Sequence, residues 1–279
     1  MNYLIYKNVE WIYRQGALLP KIAPHEIINL SEIEKKDLLS ISKAYFIRYN
    51  SSFDDVKSDF WYIIKDSFGG LDELSSKMRN QVKKGKKSYY TKIIDKNFMF
   101  EYSYIIYKES SMMYDTFENI MDELEYNNYM KCLKGEYDFW GVFEKDTDNF
   151  VAYSQNFIYD GTCFYEEIFS IPESLKKYSS YVLFYDMNEY YLKEKSFKYV
   201  HDGSRSLSHY TDIHEFLEKK FNFRKAFAKM EIVYRKDIKV LVKILYPFKN
   251  IIKKINLDIF RKVSVLLKHE EIRRSNASL

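Results

Sequence analysis

Two adjacent carboxylates, Glu166 and Glu167, stand in the middle of a predicted strand between Tyr165 and Ile168. An acid buried among aromatic residues costs free energy unless it has a partner or a purpose. With a raised pKa, such a carboxylate could accept a proton directly or through a water molecule. Strand alternation predicts that the two side chains face opposite sides of the sheet. A cross-strand salt bridge with a lysine or arginine explains them equally well.

A second polar group follows the next predicted strand and comprises His201, Asp202, Ser204 and Arg205. The guanidinium of Arg205 could hold a phosphate or a carboxylate by two hydrogen bonds. We therefore assign His201, Ser204 and Arg205 to substrate binding. A structural histidine and a simple turn at Asp202–Gly203 remain the alternatives. No histidine has a metal-ligand spacing with a third partner, so the sequence predicts no metal site.

A third feature is the loop of residues 176–181, which leads into a predicted helix from Val182. The first amide groups of a helix lack partners within it, and together with the helix dipole they attract phosphate. Lys176 and Lys177 add positive charge there. The alternative is a solvated turn.

The elements that must position these residues lie after Gly135, where the spacing of apolar residues changes to the two-residue period of a β-strand. Apolar and aromatic runs joined by turn-forming residues predict an antiparallel meander with strands at 139–143, 150–158 and 162–171. Further elements follow as a helix, a strand, a helix and a strand, at 182–193, 197–200, 213–220 and 227–234. This order predicts an α+β fold whose mixed, mostly antiparallel central sheet is flanked by helices.

The first half of the chain shows mainly helical signals. Ser31 and Glu34 have the spacing of a capping box, and residues 1–59 are predicted to form a helical segment packed on the core. A short strand at 60–64 precedes helical patterns at 71–87, 97–109 and 115–133. The first of these patterns is strongly basic, so one of its faces is either solvated or bound to anions.

The tail of the chain is basic and amphipathic. Residues 235–279 hold 12 Lys and Arg against 4 Asp and Glu, which leaves a net charge of −4 on residues 1–234. Apolar residues recur every three or four positions at Phe248, Ile252, Ile255, Ile259, Val263 and Leu266. The pattern predicts a helix over 248–279 that either docks on the body or lies on an anionic membrane. The mildly acidic body argues against DNA as a ligand.

Composition excludes several classes of protein. The 279 residues are 46% hydrophobic and 18% aromatic, which excludes collagen-like and disordered chains. Cys132 and Cys163 are too few for a disulfide framework, and no apolar run approaches the length of a membrane span. The sequence therefore predicts a cytoplasmic location, with peripheral contact at the inner membrane surface as an option.

Residues 170–183 resemble the acyl-CoA pyrophosphate motif of the GNAT N-acyltransferase superfamily, in which a strand ends, a Pro-Glu turn follows and a loop opens a helix. The loop looks like the subgroup that has a tyrosine-serine-proline-glycine loop in place of the glycine-rich form. Residues 74–85 are similar to an early helix of Fem-type peptidoglycan aminoacyl transferases, which use a duplicated GNAT fold. The resemblance covers about one copy, and it implies a single GNAT-like domain at 60–234, preceded by 1–59 and followed by 235–279.

The resemblance implies an N-acyltransferase that moves an acyl group from acyl-CoA or an acyl carrier protein to an amine. Glu166 or Glu167 would act as the base, and the amine would belong to a small molecule or a lipid precursor. The implied donor-binding residues are Phe169, Ser170, Ile171, Lys176, Lys177, Tyr178, Ser179, Ser180 and Tyr181. Two alternatives are open: a Fem-like transferase whose donor is an aminoacyl-tRNA, and an inactive scaffold that binds a partner or a membrane.

Overall fold

The computed structural model describes residues 3–14, 16–55, 57–113, 120–207, 212–255 and 257–276. Its strands are β1 (Tyr3–Tyr6), β2 (Val9–Arg14), β3 (Ala17–Pro20), β4 (Phe46–Phe53), β5 (Trp61–Lys65), β6 (Tyr89–Ile94), β7 (Glu136–Glu144), β8 (Phe150–Tyr159), β9 (Thr162–Ser170), β10 (Tyr199–Ser204) and β11 (Arg224–Tyr234). Its α-helices are α1 (Glu32–Ser42), α2 (Ser76–Ser88), α3 (Lys96–Ser111), α4 (Glu123–Lys131), α5 (Pro172–Lys176), α6 (Ser179–Asn188), α7 (Ile213–Phe221), α8 (Lys236–Leu245), α9 (Lys249–Ile252) and α10 (Asp258–Asn276). A π-helical turn at Glu189–Glu194 continues α6, and short 3₁₀ turns lie at Gly70–Glu73 and Tyr246–Phe248.

The chain divides into two compact units. Unit 1 contains residues 1–62, 204–212 and 225–279, and unit 2 contains residues 63–203 and 213–224. The predicted domain boundaries after residues 59 and 234 remain predictions.

Unit 2 contains a sheet in the order β10-β9-β8-β7-β6. The strands β6 to β9 are antiparallel to their neighbours, while β9 and β10 run parallel. Helix α3 packs on β8 and β9 and against α4, whereas α6 packs on β6, β7 and α2. The predicted meander of three strands is confirmed. Helix α4 begins at Glu123, and residues 115–119 of the predicted 115–133 helix lie outside the described residues.

Unit 1 contains strands in the order β1-β2-β3-β4-β11, of which only the β3–β4 pair is parallel among the described residues. The helical prediction for residues 1–59 is wrong over four strands, although α1 has its predicted capping box at Ser31 and Glu34. The strands were missed because β1 to β3 are only four to six residues long and because β4 pairs with β11, far away in sequence. The α+β class with a mixed, mostly antiparallel sheet and flanking helices is confirmed.

The tail is not one helix. It folds as α8, α9 and α10, with Pro247 between α8 and α9. Proline has no backbone N–H and cannot continue an α-helical hydrogen-bond ladder, which separates α8 from α9. The single helix predicted over 248–279 is wrong, because α9 ends at Ile252 and α10 begins at Asp258. Val242, Ile252 and Leu267 are buried where these helices meet. Among the described residues, no helix has both the length and the hydropathy needed to cross a bilayer.

Candidate active site

Strands β9 and β10 of unit 2 separate after a short parallel contact. They pair at Thr162–Tyr199, Cys163–Val200 and Phe164–His201, whereas β9 continues to Ser170 without a further β10 partner in the described register. The Ile171 N–H donates to the Val151 carbonyl at 3.0 Å, on the β8 side. Because N–H directions alternate along a strand, the Ile168 N–H points to the opposite edge, where β10 has left. The result is a wedge between two parallel strands with a backbone donor on its β9 edge.

A β-bulge lies at the point where the wedge opens. Gln155 of β8 is opposite Glu167, but the next residue, Asn156, is opposite Tyr165, so Glu166 is the extra residue on β9. A bulge interrupts the strict alternation of side chains. The charges of both Glu166 and Glu167 raise the pKa of Tyr129, after the larger effect of burial. Gln155 contacts both the Glu166 carboxylate and the Tyr129 hydroxyl of α4, and Phe169, two residues after Glu167, packs on Tyr107 of α3. Both carboxylates therefore face the side of the sheet that α3 and α4 cover, and the predicted placement on opposite faces is wrong.

The Glu166 carboxylate is held by side chains from three elements. The Tyr137 hydroxyl donates to Oε2 at 2.9 Å, and Gln155 Nε2 donates to the same oxygen at 3.2 Å. Gln155 Nε2 also donates to the Tyr129 hydroxyl at 2.9 Å. Within the described residues Oε1 has no hydrogen-bond partner, so one oxygen is oriented and the other is available. The cross-strand salt bridge considered for Glu166 is not present among these residues.

A layer of buried tyrosines lies on the same face. The Tyr126 hydroxyl is 2.8 Å from Ser103 Oγ and 2.9 Å from the Tyr153 hydroxyl. Burial is the main cause that raises the pKa of Tyr126 and of Tyr153, and the charge of Glu167 raises both further. These phenols therefore stay neutral at physiological pH and can donate hydrogen bonds beside the carboxylates.

Two histidines lie near the end of β10, namely His201 on the strand itself and His214 on α7. His201 stacks on Phe164 with a centroid distance of 4.8 Å, and its Nδ1 accepts the Gly203 N–H at 3.2 Å. His214 Nε2 lies 3.3 Å from Asp202 Oδ2, and burial raises the pKa of Asp202. Sequence analysis missed His214. The available signal was an Asp-Gly strand end followed by a histidine in the first turn of the next helix.

The loop before α6 is closely packed. Tyr178 has φ 70° and precedes the helix without a side-chain cap. Ser179 is fully buried, and its hydroxyl donates to Ser174 Oγ at 2.9 Å. Ser180 and Tyr181 are half-buried, and the Tyr181 N–H donates to the Tyr178 carbonyl. The loop thus presents fewer open amides to a phosphate than a glycine-rich loop would.

The two lysines of this loop are exposed. Lys176 forms an ion pair with Glu173 at 3.0 Å, and Lys177 has no ion-pair partner among the described residues. Phe169 packs on Tyr107 and Tyr153, and the Ser170 N–H donates to Ser110 Oγ at 3.4 Å. Of the predicted donor-binding backbone groups, Ile171 N–H is thus already used by β8, and the open edge is at Ile168.

Helix α2 packs directly on the start of α6. A Cβ atom at Gly85 would lie 2.7 Å from the Tyr178 carbonyl oxygen and 2.6 Å from Val182 Cγ2. Its other face carries the exposed cations Lys77, Lys83, Lys84 and Lys87, while Lys86 is paired with Asp186 at 2.6 Å. The basic segment is therefore a helix with one buried face and one positively charged exposed face, as its sequence predicts.

Ser204 and Arg205 belong to unit 1, unlike the other predicted site residues. The Arg205 guanidinium donates to the Asp59 carbonyl at 2.6 Å, and its N–H donates to the Trp61 carbonyl. Arg205 thus has a structural role in anchoring the end of β10. Its assignment to substrate binding stays a prediction.

Cys163 is a core residue and not a nucleophile. It is fully buried, and burial raises the pKa of its thiol well above the ordinary value. Tyr191 of the π-helical turn lies near it and donates to Asp138 Oδ2 at 2.9 Å, while Trp140 Nε1 and Asn156 Nδ2 donate to the Tyr191 hydroxyl. Within the described ranges, no three His, Cys, Asp or Glu side chains are grouped as metal ligands.

Comparison with known proteins shows the fold and not the family. No family model matches the sequence, and no curated protein is similar to it. Solved structures do match. FemX has a TM-score of 0.56 at 10% identity over 85% of this chain and 86% of its own. L-PGS from Bacillus licheniformis has a TM-score of 0.54 at 12% identity over 95% of this chain and 86% of its own.

A third structure is the C-terminal domain of a putative lysylphosphatidylglycerol synthetase from Agrobacterium fabrum. Its TM-score is 0.53 at 7% identity, with 87% of each chain covered. The chain therefore has a GNAT-like, Fem-like fold, as the sequence resemblance implies. At these identities the likeness concerns the fold alone, so the chemistry must be argued from the site.

Proposed function

We propose that the chain is an N-acyltransferase that moves an acyl or aminoacyl group onto an amine at the β9–β10 wedge. One observation carries this proposal. The strands part after Phe164, and the next residues on β9 supply a carboxylate in a bulge and a backbone N–H at the open edge. Acyl transfer to an amine needs a path for the donor, a hydrogen bond to the reacting carbonyl and a proton acceptor. The wedge supplies these three requirements within a few residues.

In the proposed reaction, the amine nitrogen attacks the carbonyl carbon of the donor and forms a tetrahedral intermediate. The Ile168 N–H donates to the developing oxyanion. Glu166 accepts the proton that the attacking ammonium must lose, directly or through water, because its Oε2 is fixed by Tyr137 and Gln155 and its Oε1 is available. The bond between the carbonyl carbon and the donor's leaving group then breaks, the leaving group takes the proton that Glu166 holds, and the new amide bond remains.

The first candidate donor is a thioester of coenzyme A or of an acyl carrier protein. A thioester arm would pair with the open edge of β9 near Ile168. Its phosphates would lie at the loop of residues 176–181, beside the exposed Lys176 and Lys177. Coenzyme A should then stabilise the chain by about 2.7 kcal/mol when present at a hundred times its dissociation constant.

An aminoacyl-tRNA is the second candidate donor, and the packing of α2 and α6 favours it. Complete burial of Ser179 leaves few open amides for a pyrophosphate. The exposed face of α2 instead offers four cations to an extended polyanion: Lys77, Lys83, Lys84 and Lys87. Such contacts give binding that weakens steeply as the salt concentration rises. Each phosphate contacted makes the slope of log affinity against log salt concentration more negative by about 0.7 to 0.9.

The acceptor is proposed to be an amine on a small molecule or a lipid precursor. One of the solved structures named above is the C-terminal domain of a putative lysylphosphatidylglycerol synthetase, a name that joins an aminoacyl group to a membrane lipid. For this chain, the aromatic and tyrosine-rich face beside Glu166 is suited to a partly apolar acceptor.

A transfer assay with two donors tests the proposal. Labelled acyl-CoA and labelled aminoacyl-tRNA are each incubated with the chain and a panel of amines, and amide formation is measured. We expect transfer from one donor. If tRNA is the donor, replacing the four exposed α2 lysines with glutamate abolishes transfer, whereas replacing Lys239, Lys243, Lys253 and Lys254 does not. Absence of transfer and of thermal stabilisation with both donors would support an inactive scaffold.

A further inference from the structure

The tail helices of unit 1 bury the apolar side chains of their inner faces against one another. Val242, Ile252 and Leu267 are buried there, with Ile238, Leu245 and Phe260 packed around them. Further along α10, Ile272 is buried against β-strand residues of the same unit. The C-terminal half of α10 is therefore docked, which is one of the two alternatives that the sequence left open for residues 248–279.

A different set of apolar side chains remains exposed on α8, α9 and the start of α10. These side chains are between 40% and 68% exposed and comprise Val240, Leu241, Ile244, Phe248, Ile251, Leu257 and Ile259. Val240 and Ile244 lie one turn apart on α8, and Ile251 follows Phe248 by three residues at α9. We call these seven residues the apolar strip. Apolar clusters of this kind on a soluble surface mark a site of interaction.

Lysines border the apolar strip. Residues 236–262 contain eight Lys and Arg and two Asp. Six of the lysines are exposed and have no ion-pair partner among the described residues: Lys236, Lys239, Lys243, Lys253, Lys254 and Lys262. By contrast, Lys249 is paired with Glu271, and Arg235 with Asp237.

A cationic groove adjoins the apolar strip, between α9 and α10. Lys253, Arg261 and Lys268 line it together with Ser264 and apolar side chains. Lys268 is half-buried and donates to the Leu207 carbonyl at 3.0 Å. Burial lowers the pKa of Lys268, and the nearby charges of Lys253 and Arg205 lower it further. Three cations around one groove create a site for an anionic group such as a phosphate.

We infer that α8, α9 and the start of α10 dock the protein on a bilayer that contains anionic phospholipids. The apolar strip would enter the interfacial region, the six lysines would lie at the headgroups, and the groove would take a headgroup phosphate. Charge decides between a bilayer and a protein partner. Protein interfaces are depleted in lysine, whereas apolar residues edged by lysines are the pattern of helices that lie on anionic membranes.

Vesicle co-sedimentation with the full chain tests this inference without an activity assay. Vesicles of phosphatidylcholine alone are compared with vesicles that contain 30% phosphatidylglycerol. The protein should bind the anionic vesicles, bind phosphatidylcholine at least about tenfold more weakly, and dissociate as salt is raised. Equal binding to both, or no binding to anionic vesicles, would overturn the inference.

Two variants and a matched control distinguish the effect of the apolar strip and its lysines on vesicle binding from the effect of net charge. Ile244→Ser/Phe248→Ser/Ile251→Ser and Lys239→Glu/Lys243→Glu/Lys254→Glu should each lower anionic-vesicle binding at least about tenfold, with an unchanged melting temperature. Lys77→Glu/Lys83→Glu/Lys84→Glu changes the charge equally on α2 and should bind vesicles like the unmodified chain. If this control loses anionic-vesicle binding equally, the losses are explained by net charge alone, and the docking surface is refuted.

Two further outcomes would also count against a bilayer. If millimolar glycerol phosphate releases the protein from vesicles, the groove serves a soluble phosphate. If the unmodified chain forms a dimer that the triple-serine variant loses, a second copy covers the apolar strip. We expect neither. Because binding is measured without any donor, this result and the result of the transfer assay can fail independently.

Discussion

Glu166 shows how one extra residue in a strand changes the chemistry available at a site. Strict alternation would have placed Glu166 and Glu167 on opposite faces, but the bulge directs both toward Tyr129. Tyr137 and Gln155 then fix one oxygen of Glu166. A bulge forms only where the backbone pairing on both sides of a strand allows it. Whether β9 has a bulge at Glu166 therefore depends on its neighbours β8 and β10. The sequence locates these acids in a strand, but it does not reveal the bulge.

Glu166→Gln should therefore lower kcat by about a hundredfold to a thousandfold, because it removes the proposed proton acceptor and keeps the shape of the side chain. Glu167→Gln should lower kcat less than about tenfold, since Glu167 contributes charge and does not take the proton. The measurement is the dependence of kcat on pH, with whichever donor the transfer assay identifies. Loss of its acidic limb only in Glu166→Gln is expected. Equal losses in both variants would contradict the assignment.

His269 makes the stability of unit 1 depend on pH. It is buried, its Nδ1 donates to the Val265 carbonyl at 2.8 Å, and its Nε2 accepts from Arg48 at 3.2 Å. Burial first, and then the charge of Arg48, lower the pKa of His269 from 6.5 to about 4. Between these values the unfolded state binds more protons than the folded state. Stability is therefore lost as the pH falls from 6.5 toward 4.

Between pH 7.5 and pH 5, the free energy of unfolding should fall by about 2 kcal/mol through His269. Urea unfolding of the intact chain at the two pH values measures it. In His269→Gln, which cannot titrate, most of this difference should disappear. If the variant shows the same pH dependence as the unmodified chain, His269 is not the group responsible.

At the level of elements, the close contact between α2 and α6 sets the shape of the loop before α6. Gly85 allows the two helices to touch, because its missing Cβ would collide with a backbone carbonyl and with Val182. The contact also buries one face of α2 and leaves the lysine face exposed. The same packing thus closes the loop of residues 176–181 and presents the cations of α2.

Gly85→Ala should destabilise the protein by up to about 2 kcal/mol, since overpacking costs about 1–3 kcal/mol and alanine recovers about 1 kcal/mol of helix propensity. Lys84→Ala, at an exposed position in the same helix, should change stability by less than about 0.5 kcal/mol. Denaturant unfolding compares the two. A Gly85→Ala variant as stable as Lys84→Ala would show that the helices do not need this close approach.

Element order was predictable wherever local periodicity was strong. The meander β7 to β9, the following α6, β10 and α7, and the final β11 lie where the patterns place them, within a few residues. The N-terminal strands and the broken tail were not predicted. Short strands such as β3 depend on pairing with other strands. The apolar spacing of residues 248–266 continues through the gap between α9, which ends at Ile252, and α10, which begins at Asp258.

At the scale of the whole chain, each unit is assembled from separate stretches of sequence. Unit 1 draws on residues 1–62, 204–212 and 225–279, so the fold alternates between units along the chain. The boundaries after residues 59 and 234, which the family resemblance implies, remain predictions. The site residues of β9 and the end of β10 nevertheless share unit 2 up to Gly203, and the proposed chemistry rests on unit 2 alone.

A structure of the chain with a slowly reacting donor analogue tests the central claim most directly. The analogue is a thioether of coenzyme A or a non-hydrolysable aminoacyl-tRNA end, whichever donor the transfer assay identifies. The acyl arm should lie between β9 and β10 beyond Phe164, with its carbonyl oxygen within hydrogen-bond distance of the Ile168 N–H. An analogue bound elsewhere, or β9 and β10 paired along their full length, would contradict the account.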